Sequence, residues 1–260
     1  MTTQTTTAAE LHHELRGDGP AVLFVAGLPG DGSQFDAVAG ELASDHTVIT
    51  YERRSNSRSP RPAGWTQTSI EEQVADAAAL LEPISAPAIV YGSSVGAIVA
   101  LELARTRPEL VRLALLHEMP LLSVLADPAP VAAAIGEIVE PAFARGGPDA
   151  ALEAFLRFAL GDATVAALDP AKRARMLANG EVAMTIELPA FQAYRPDGAA
   201  LAGVRARPLV GREQALPFFR EAADWLGRAL ETDVVSAPGA HGPQFDHPEE
   251  LAALIRSAAA

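Results

Sequence analysis

The chain has 260 residues, of which 49% are hydrophobic and 5% aromatic, and its 20 Lys and Arg against 33 Asp and Glu give a net charge of −13. Because it has no cysteine, disulfide scaffolds, thiolate zinc sites, iron–sulfur clusters and a cysteine nucleophile are excluded. The acidic balance argues against nucleic acid or an anionic membrane as a partner, since their phosphates would repel the chain. The length fits one large domain or a core with an inserted subdomain, and a small molecule is the expected partner.

The N-terminal segment carries no recognisable targeting signal. Met1–Glu10 is polar and Thr-rich, with neither the basic nor the apolar stretch of a secretory signal. No apolar run reaches the roughly 18 residues that are needed to span a bilayer. We therefore expect a cytoplasmic protein, acting as a monomer or a homodimer.

Short apolar strands alternate with helix-length segments in the first half of the chain. The predicted strands are Leu11–Arg16, Ala21–Ala26, Thr47–Tyr51, Ala88–Tyr91 and Val111–Leu116. The predicted helices are Gln34–Leu42, a helix that Ser69 opens and that runs to about Leu81, and Val95–Arg105. This order predicts an α/β fold, with a mostly parallel central sheet and helices on both faces.

The pattern changes near Pro120. Residues 121–203 show helical periodicity without a convincing strand, interrupted by Pro128, Pro141, Pro148, Pro170 and Pro189. Alternation then resumes with a strand at Pro208–Val210, a helix at Phe218–Leu230, a strand at Thr232–Ser236 and a last helix from about Pro248. We predict a core made of residues 1–120 and 204–260, with residues 121–203 inserted as a helical cap.

The strongest local motif is Gly92-Ser93-Ser94-Val95-Gly96, which lies directly between a predicted strand and a predicted helix. It matches the G-x-S-x-G nucleophile elbow in the context that this motif requires. Small residues two positions before and after Ser94 let strand and helix approach closely while the serine projects from the turn. Ser94 is therefore the predicted nucleophile, and the backbone N–H of Val95 is a predicted donor to an oxyanion.

A serine hydroxyl needs a neighbouring base, and His241 is the best placed histidine. It follows the last predicted strand in the flexible segment Pro238–Gly242. The other histidines fit less well: His12 and His13 lie in an early strand, His46 on a predicted surface turn, His117 at the end of a strand in a structural role, and His247 at the start of the last helix.

Two carboxylates are candidates for the acid that orients the base. Glu118 lies just past the strand Val111–Leu116, and Glu213 follows the strand Pro208–Val210. Position in the chain favours Glu118 and leaves Glu213 as the alternative. Arg53, Arg54 and Arg58 are expected to pair with carboxylates of the protein instead of binding an anionic substrate.

These motifs together resemble the α/β-hydrolases over nearly the whole chain. Ala26–Gly30 is similar to their oxyanion loop and Tyr51–Ser59 to an Arg- and Ser-rich loop. Three segments resemble more narrowly the zearalenone lactonases and related hydrolases: Gly92–Ala97, Leu116–Pro120 and Gly239–Pro248. The resemblance implies that Leu28 supplies the second oxyanion donor and that Glu118 is the acid. Ala26 departs from the family, because many relatives have His there, and so do Ser55 and Ser57, where Gly is common.

The predicted function is hydrolysis of a carboxylic ester through an acyl-enzyme on Ser94, without a metal or organic cofactor. A lactone, including a zearalenone-type macrolactone, is the favoured substrate. Apolar cap residues are candidates to shape the substrate pocket, such as Phe155, Phe158, Leu188, Phe191 and Tyr194. The default interpretation for most of them is that they form the core of the cap. The alternative is that the fold serves cofactor-free oxygen chemistry or binding without hydrolysis.

Overall fold

The computed structural model describes residues 11–84 and 86–259, and its centre is a seven-stranded sheet. The strands are β1 (His13–Arg16), β2 (Ala21–Val25), β3 (Thr47–Tyr51), β4 (Ala88–Ser93), β5 (Val111–His117), β6 (Ala206–Gly211) and β7 (Val235–Ala237). Their order across the sheet is β1-β3-β2-β4-β5-β6-β7. Only β1 pairs antiparallel, and the predicted fold class is confirmed.

Helices cover both faces of the sheet because the central strands bury both sets of alternating side chains. In β2, Val22 and Phe24 pack into one apolar cluster, whereas Leu23 and Val25 pack into the other. Outside the segment between β5 and β6, the described helices are α1 (Asp36–Leu42), α2 (Ile70–Leu81), α3 (Val95–Thr106), α8 (Pro217–Ala229), α9 (Pro243–Asp246) and α10 (Pro248–Ala259), with a 3₁₀ turn at Gly32–Phe35. α1 and α10 cover one face, and α2, α3 and α8 cover the other.

Between β5 and β6, the described residues form helices joined by turns and loops, without a strand. These are α4 (Ala129–Leu160), α5 (Asp162–Ala167), α6 (Pro170–Leu177), a π-helix (Val182–Glu187) and α7 (Leu188–Gln192), with 3₁₀ turns at Leu122–Val124 and Gly198–Leu201. Nowhere in the described ranges is a helix long and apolar enough to cross a membrane.

Two prolines of this helical segment mark helix starts at predicted positions. Pro128 precedes α4 and Pro170 begins α6. At a helix start the missing N–H has no helical acceptor to lose. Pro189 instead lies where the π-helix passes directly into α7. α4 itself is broken at Gly146 and Gly147, just before Pro148. The predicted interruption at Pro141 is wrong, since a helix can pass a proline with the loss of one backbone hydrogen bond.

Two further local predictions differ from the structure. The last strand was expected at Thr232–Ser236 but spans Val235–Ala237, because the Thr232 N–H donates to the Gly227 carbonyl and closes the end of α8. His46 is not on the surface. It is buried before β3, with Nδ1 at 3.2 Å from Oδ1 of Asp45.

Candidate active site

Ser94 lies at the sharp turn between β4 and α3, in a backbone conformation that is rare for an L-residue. Its φ is 53° and its ψ is −126°. A Cβ at Gly92 would lie 2.5 Å from the Gly96 carbonyl oxygen, and a Cβ at Gly96 would lie 2.3 Å from that of Val25. Both glycines are therefore needed for the close approach of strand and helix, and the turn holds Ser94 in a strained conformation.

Glu118 and His241 are joined by a buried hydrogen bond. Nδ1 of His241 lies 2.7 Å from Oε2 of Glu118. The same carboxylate accepts from the backbone N–H of Gly211 at 2.9 Å and from Nε2 of Gln214 at 2.5 Å. Burial raises the pKa of Glu118. The hydrogen bond to His241 and the other neighbouring donors lower it by more, so the pKa lies below its ordinary value. Glu118 is accordingly an anion beside His241 at neutral pH.

This contact determines which nitrogen of His241 is left for chemistry. Because Nδ1 faces the Glu118 carboxylate, it carries the proton, and Nε2 is the basic nitrogen of the neutral ring. Phe219 stacks on the imidazole, with ring centroids 4.7 Å apart. The Ser94 hydroxyl forms no hydrogen bond within the described part of the chain, but Ser94 and His241 line the same cavity. In a structure without substrate, such a catalytic hydrogen bond is often not yet formed.

His117 supports the loop that carries His241. Its Nε2 donates to the Ala240 carbonyl at 3.0 Å, and its ring stacks on Tyr91. Because the side chain is fully buried, the pKa of His117 is lowered to about 4. The ring is thus neutral at pH 7 and acts as a hydrogen-bond donor to the loop, in agreement with the structural role expected for it.

Two backbone N–H groups, those of Leu28 and Val95, lie on the elements next to Ser94. Within the described ranges, neither Leu28 nor Val95 donates its N–H to an acceptor. Val95 is the first residue of α3, where the N–H groups point out of the helix and favour negative charge. A Cβ at Gly27 would lie 3.0 Å from Cβ of Ser94, so this glycine allows the Leu28 loop to approach the serine.

Arg53 binds the backbone of the loop that carries Leu28. Its Nη1 donates to the carbonyls of Ala26 and Gly27, the latter at 2.7 Å. Its Nε and Nη2 form a two-point ion pair with Glu187 of the π-helix, at 3.1 and 2.5 Å. Both side chains of this pair are fully buried. The guanidinium therefore links the loop to the helical segment.

The two other arginines of this region also pair with carboxylates, as expected. Arg54 bonds Asp76, and Arg58 bonds Glu52. No charged side chain of Asp, Glu, Lys or Arg is among the described residues that line the cavity at Ser94. The described residues also include no group of His, Asp and Glu side chains arranged to hold a metal ion.

The cavity at Ser94, called here the apolar cavity, is lined by residues of the helical segment and of α8. All five predicted cap residues belong to it: Phe155, Phe158, Leu188, Phe191 and Tyr194. Sequence reasoning missed other lining residues, among them Leu121, Ile135, Gln192, Leu216, Phe218 and Phe219. The space open to the centre of a water-sized sphere is about 70 Å³. The apolar cavity is thus narrow and suited to an uncharged group.

A second, smaller space touches Ser94 and His241 and is lined also by Gly27, Leu28 and Phe245. For a water-sized sphere centre it offers about 20 Å³. Ser94 and His241 therefore line both the apolar cavity and this smaller space, and the Leu28 loop lines only the smaller one.

Glu213 does not join the site. Its side chain is 58% exposed and lies 3.6 Å from Arg212 and 3.9 Å from His247. Gln214, the next residue, does contact Glu118, and sequence reasoning missed it. Its only signal in the sequence is its place just after β6, because the partner carboxylate lies on a different loop.

The chain matches the model of the alpha/beta hydrolase family over residues 22–254. A Bacillus subtilis protein, uncharacterized hydrolase YraK, is 42% identical over 118 residues, which are 45% of this chain and 44% of YraK. This match spans less than half the length of YraK.

Solved structures share the fold at lower identity. A thermophilic esterase from Thermogutta terrifontis has a TM-score of 0.70 and 23% identity, covering 99% of this chain and 97% of the esterase. An enol-lactonase from Burkholderia xenovorans has a TM-score of 0.71 and 18% identity, covering 95% of each chain. At these identities the likeness shows the fold alone.

Proposed function

Because the chain belongs to the alpha/beta hydrolase family, we propose that it hydrolyses carboxylic esters through an acyl-enzyme on Ser94. The observation that carries this proposal is the bond between Nδ1 of His241 and Glu118, at 2.7 Å. It leaves Nε2 of His241 as the base in a cavity that Ser94 also lines. Two free N–H donors lie on the elements next to Ser94.

In the proposed mechanism, Nε2 of His241 takes the hydroxyl proton of Ser94 as the oxygen attacks the ester carbonyl. The N–H groups of Leu28 and Val95 stabilise the oxyanion of the tetrahedral intermediate. Glu118 orients His241 and stabilises its imidazolium form. The proton passes to the leaving alcohol, and the acyl group stays on Ser94. Water then attacks the acyl-enzyme, with His241 as the base again, and releases the acid.

Residues 121–203 act in this proposal as a cap that closes the site over the core of residues 1–120 and 204–260. Two ionic contacts support it, the first fully buried and the second between a buried carboxylate and a partly exposed guanidinium. One is the pair of Arg53 with Glu187, and the other joins Nε of Arg175 to Oδ2 of Asp31 at 2.9 Å. Each brings a residue of the helical segment to a loop of the sheet.

We propose a lactone as the favoured ester. Any ester has an acyl part and an alcohol part on the two sides of the attacked carbonyl, and a lactone joins them in one ring, so both parts must fit close to Ser94. The apolar cavity and the smaller space beside Leu28 both adjoin Ser94 and His241. The first lactones to test are small rings and a zearalenone-type macrolactone, the latter because of the motifs Gly92–Ala97 and Gly239–Pro248.

The experiment combines labelling and turnover. Wild-type protein and Ser94→Ala are treated with a fluorophosphonate probe and assayed with p-nitrophenyl acetate and a lactone panel, read by acid release. We expect labelling at Ser94 and ester cleavage by the wild type, and a loss of kcat on the order of 10⁴-fold or more in Ser94→Ala. Ser93→Ala is the matched control and should still be labelled.

If the wild type is neither labelled nor active on any ester, the hydrolase proposal is wrong. Cofactor-free oxygen chemistry or binding without hydrolysis would then be the remaining alternative. If the protein cleaves p-nitrophenyl acetate but no lactone, the proposal of ester hydrolysis stands and the proposal of a lactone substrate is wrong.

A further inference from the structure

Tyr194 lies between two spaces of very different character. On one side it lines the apolar cavity together with Ser94 and His241. On the other side it lines an outer cleft whose walls include Glu71, Arg105 and Asp197. Of the residues that the structure describes, only Tyr194 lines both spaces. Tyr194 is therefore part of the wall between them, called here the partition.

The partition is anchored through its hydroxyl. Oη of Tyr194 donates to Oε1 of Glu102 at 2.6 Å. Oε2 of Glu102 accepts in turn from Nε and Nη2 of Arg105, at 2.9 and 2.6 Å. Burial, and then the Glu102 carboxylate, raise the pKa of Tyr194, so the phenol stays neutral and keeps its proton for this bond. A tyrosine held at both its ring and its hydroxyl has little freedom to swing aside.

The sizes of the two spaces differ about tenfold. The volume open to the centre of a water-sized sphere is about 70 Å³ in the apolar cavity and about 690 Å³ in the outer cleft. An acyl chain that fills the apolar cavity gains free energy with each buried methylene. It can gain no more once its end meets the Tyr194 ring.

We propose that Tyr194, anchored by Glu102, closes the apolar cavity and sets the upper limit on the length of the acyl chain that the protein accepts. This inference rests on the proposed ester hydrolysis and names its substrate class: esters of uncharged, apolar acids of limited length. The absence of Asp, Glu, Lys and Arg from the described lining of the apolar cavity supports the exclusion of charged acyl groups.

The experiment measures kcat/KM for a series of p-nitrophenyl esters from acetate to dodecanoate. In the wild type, kcat/KM should rise by roughly fourfold for each added methylene and then fall sharply at one chain length. In Tyr194→Ala the fall should move to longer chains by about four carbons, because truncation joins the cavity to the cleft. In Tyr194→Phe, which keeps the ring but loses the anchor, the longest esters should gain less than in Tyr194→Ala.

Phe158→Ala is the matched control. Phe158 lines the apolar cavity but not the outer cleft, so its truncation enlarges the cavity without opening its wall. We expect this variant to accept bulkier acyl groups while the fall with chain length stays near the wild-type position. Thermal unfolding of each variant checks that the fold is retained.

A second readout does not need hydrolysis. Straight-chain 1-alkanols, from butanol to dodecanol, are used to displace a fluorescent apolar probe from the apolar cavity. The readout is the chain length at which the affinity for the alkanol stops rising, compared between the wild type and Tyr194→Ala. Tyr194→Ala should extend that length. If the wild type cleaves esters but Tyr194→Ala shifts neither profile, the inference is overturned and the proposed function stands. If no ester is cleaved by any variant, the proposed function fails and the limit on the acyl chain fails with it, while the alkanol series still tests whether Tyr194 closes the apolar cavity.

Discussion

Oε2 of Glu118 lies 2.7 Å from Nδ1 of His241, although the two residues are 123 positions apart in the chain. The carboxylate is fully buried and accepts two further hydrogen bonds, from Gly211 and Gln214. Glu213, the alternative acid by position, is directed instead toward Arg212 and His247. The orientation of the imidazole therefore depends on one carboxylate.

The two carboxylates can be distinguished by matched substitutions. Glu118→Gln keeps the size of the side chain but removes the charge that favours the imidazolium, and we expect kcat to fall by roughly 10³-fold or more. Glu213→Gln should leave kcat within about twofold, because an exposed carboxylate contributes little. Turnover of p-nitrophenyl acetate measures both. A larger loss of kcat at Glu213 would refute the assignment of Glu118.

The buried pair of Arg53 and Glu187 gives a prediction that separates stability from activity. Glu187→Gln leaves the guanidinium buried without a counter-charge, and the free energy of unfolding should fall by about 3 kcal/mol. The double variant Arg53→Met with Glu187→Gln removes the uncompensated charge and should recover part of that loss, the rest remaining because the Ala26 and Gly27 carbonyls lose their donor. Urea unfolding measures both changes.

The same double variant also removes the donor that holds the carbonyls of Ala26 and Gly27. Its kcat should stay at least about tenfold below the wild type, because the Leu28 N–H is no longer held in place. A double variant with wild-type kcat would show that Arg53 does not position the loop.

His117 makes stability depend on pH. Burial lowers its pKa from 6.5 to about 4 in the folded protein. Between these two values the unfolded chain binds a proton that the native state does not. The free energy of unfolding is therefore highest above pH 6.5 and falls as the pH drops toward 4, by roughly 3 kcal/mol in total.

His117→Gln retains an amide that can donate to the Ala240 carbonyl but does not titrate. Urea unfolding at several pH values between 4.5 and 7.5 compares it with the wild type. The variant should lose less stability on acidification, because it lacks the imidazole that takes up a proton on unfolding, whereas the carboxylates contribute equally to both proteins. Equal slopes in the two proteins would contradict the prediction.

The elbow gives a prediction about packing. In Gly96→Ala the new Cβ would meet the carbonyl oxygens of Val25 and Ala26 at 2.3 and 2.6 Å. Backbone atoms of a central strand cannot move away easily, so we expect a loss of about 3 kcal/mol or more in the free energy of unfolding.

Gly40→Ala is the control, since Gly40 lies in α1 and a Cβ there meets nothing within 4 Å. It should raise the free energy of unfolding by about 0.5–1 kcal/mol, because alanine favours the helix. Chemical denaturation measures both variants, and equal stability of Gly96→Ala and the wild type would be incompatible with the tight turn.

Much of the fold was predictable because its signals are local. The alternation of strands and helices, the serine cap at Ser69 and the glycines around Ser94 each depend on a few neighbouring residues. The bounds that failed, at Thr232 and Pro141, lie where a hydrogen bond at the end of a helix or the continuation of a long helix outweighs the local preference.

The sequence by itself determined the fold class and drew attention to Ser94, His241 and Glu118, since a strained elbow and a late loop histidine are visible along one chain. Only the tertiary structure decided which carboxylate faces His241, that Gln214 bonds this carboxylate and that Arg53 holds the Leu28 loop. His241 and Gln214 are 123 and 96 positions from Glu118. These relationships depend on how the loops at the ends of different strands meet, which no local pattern encodes.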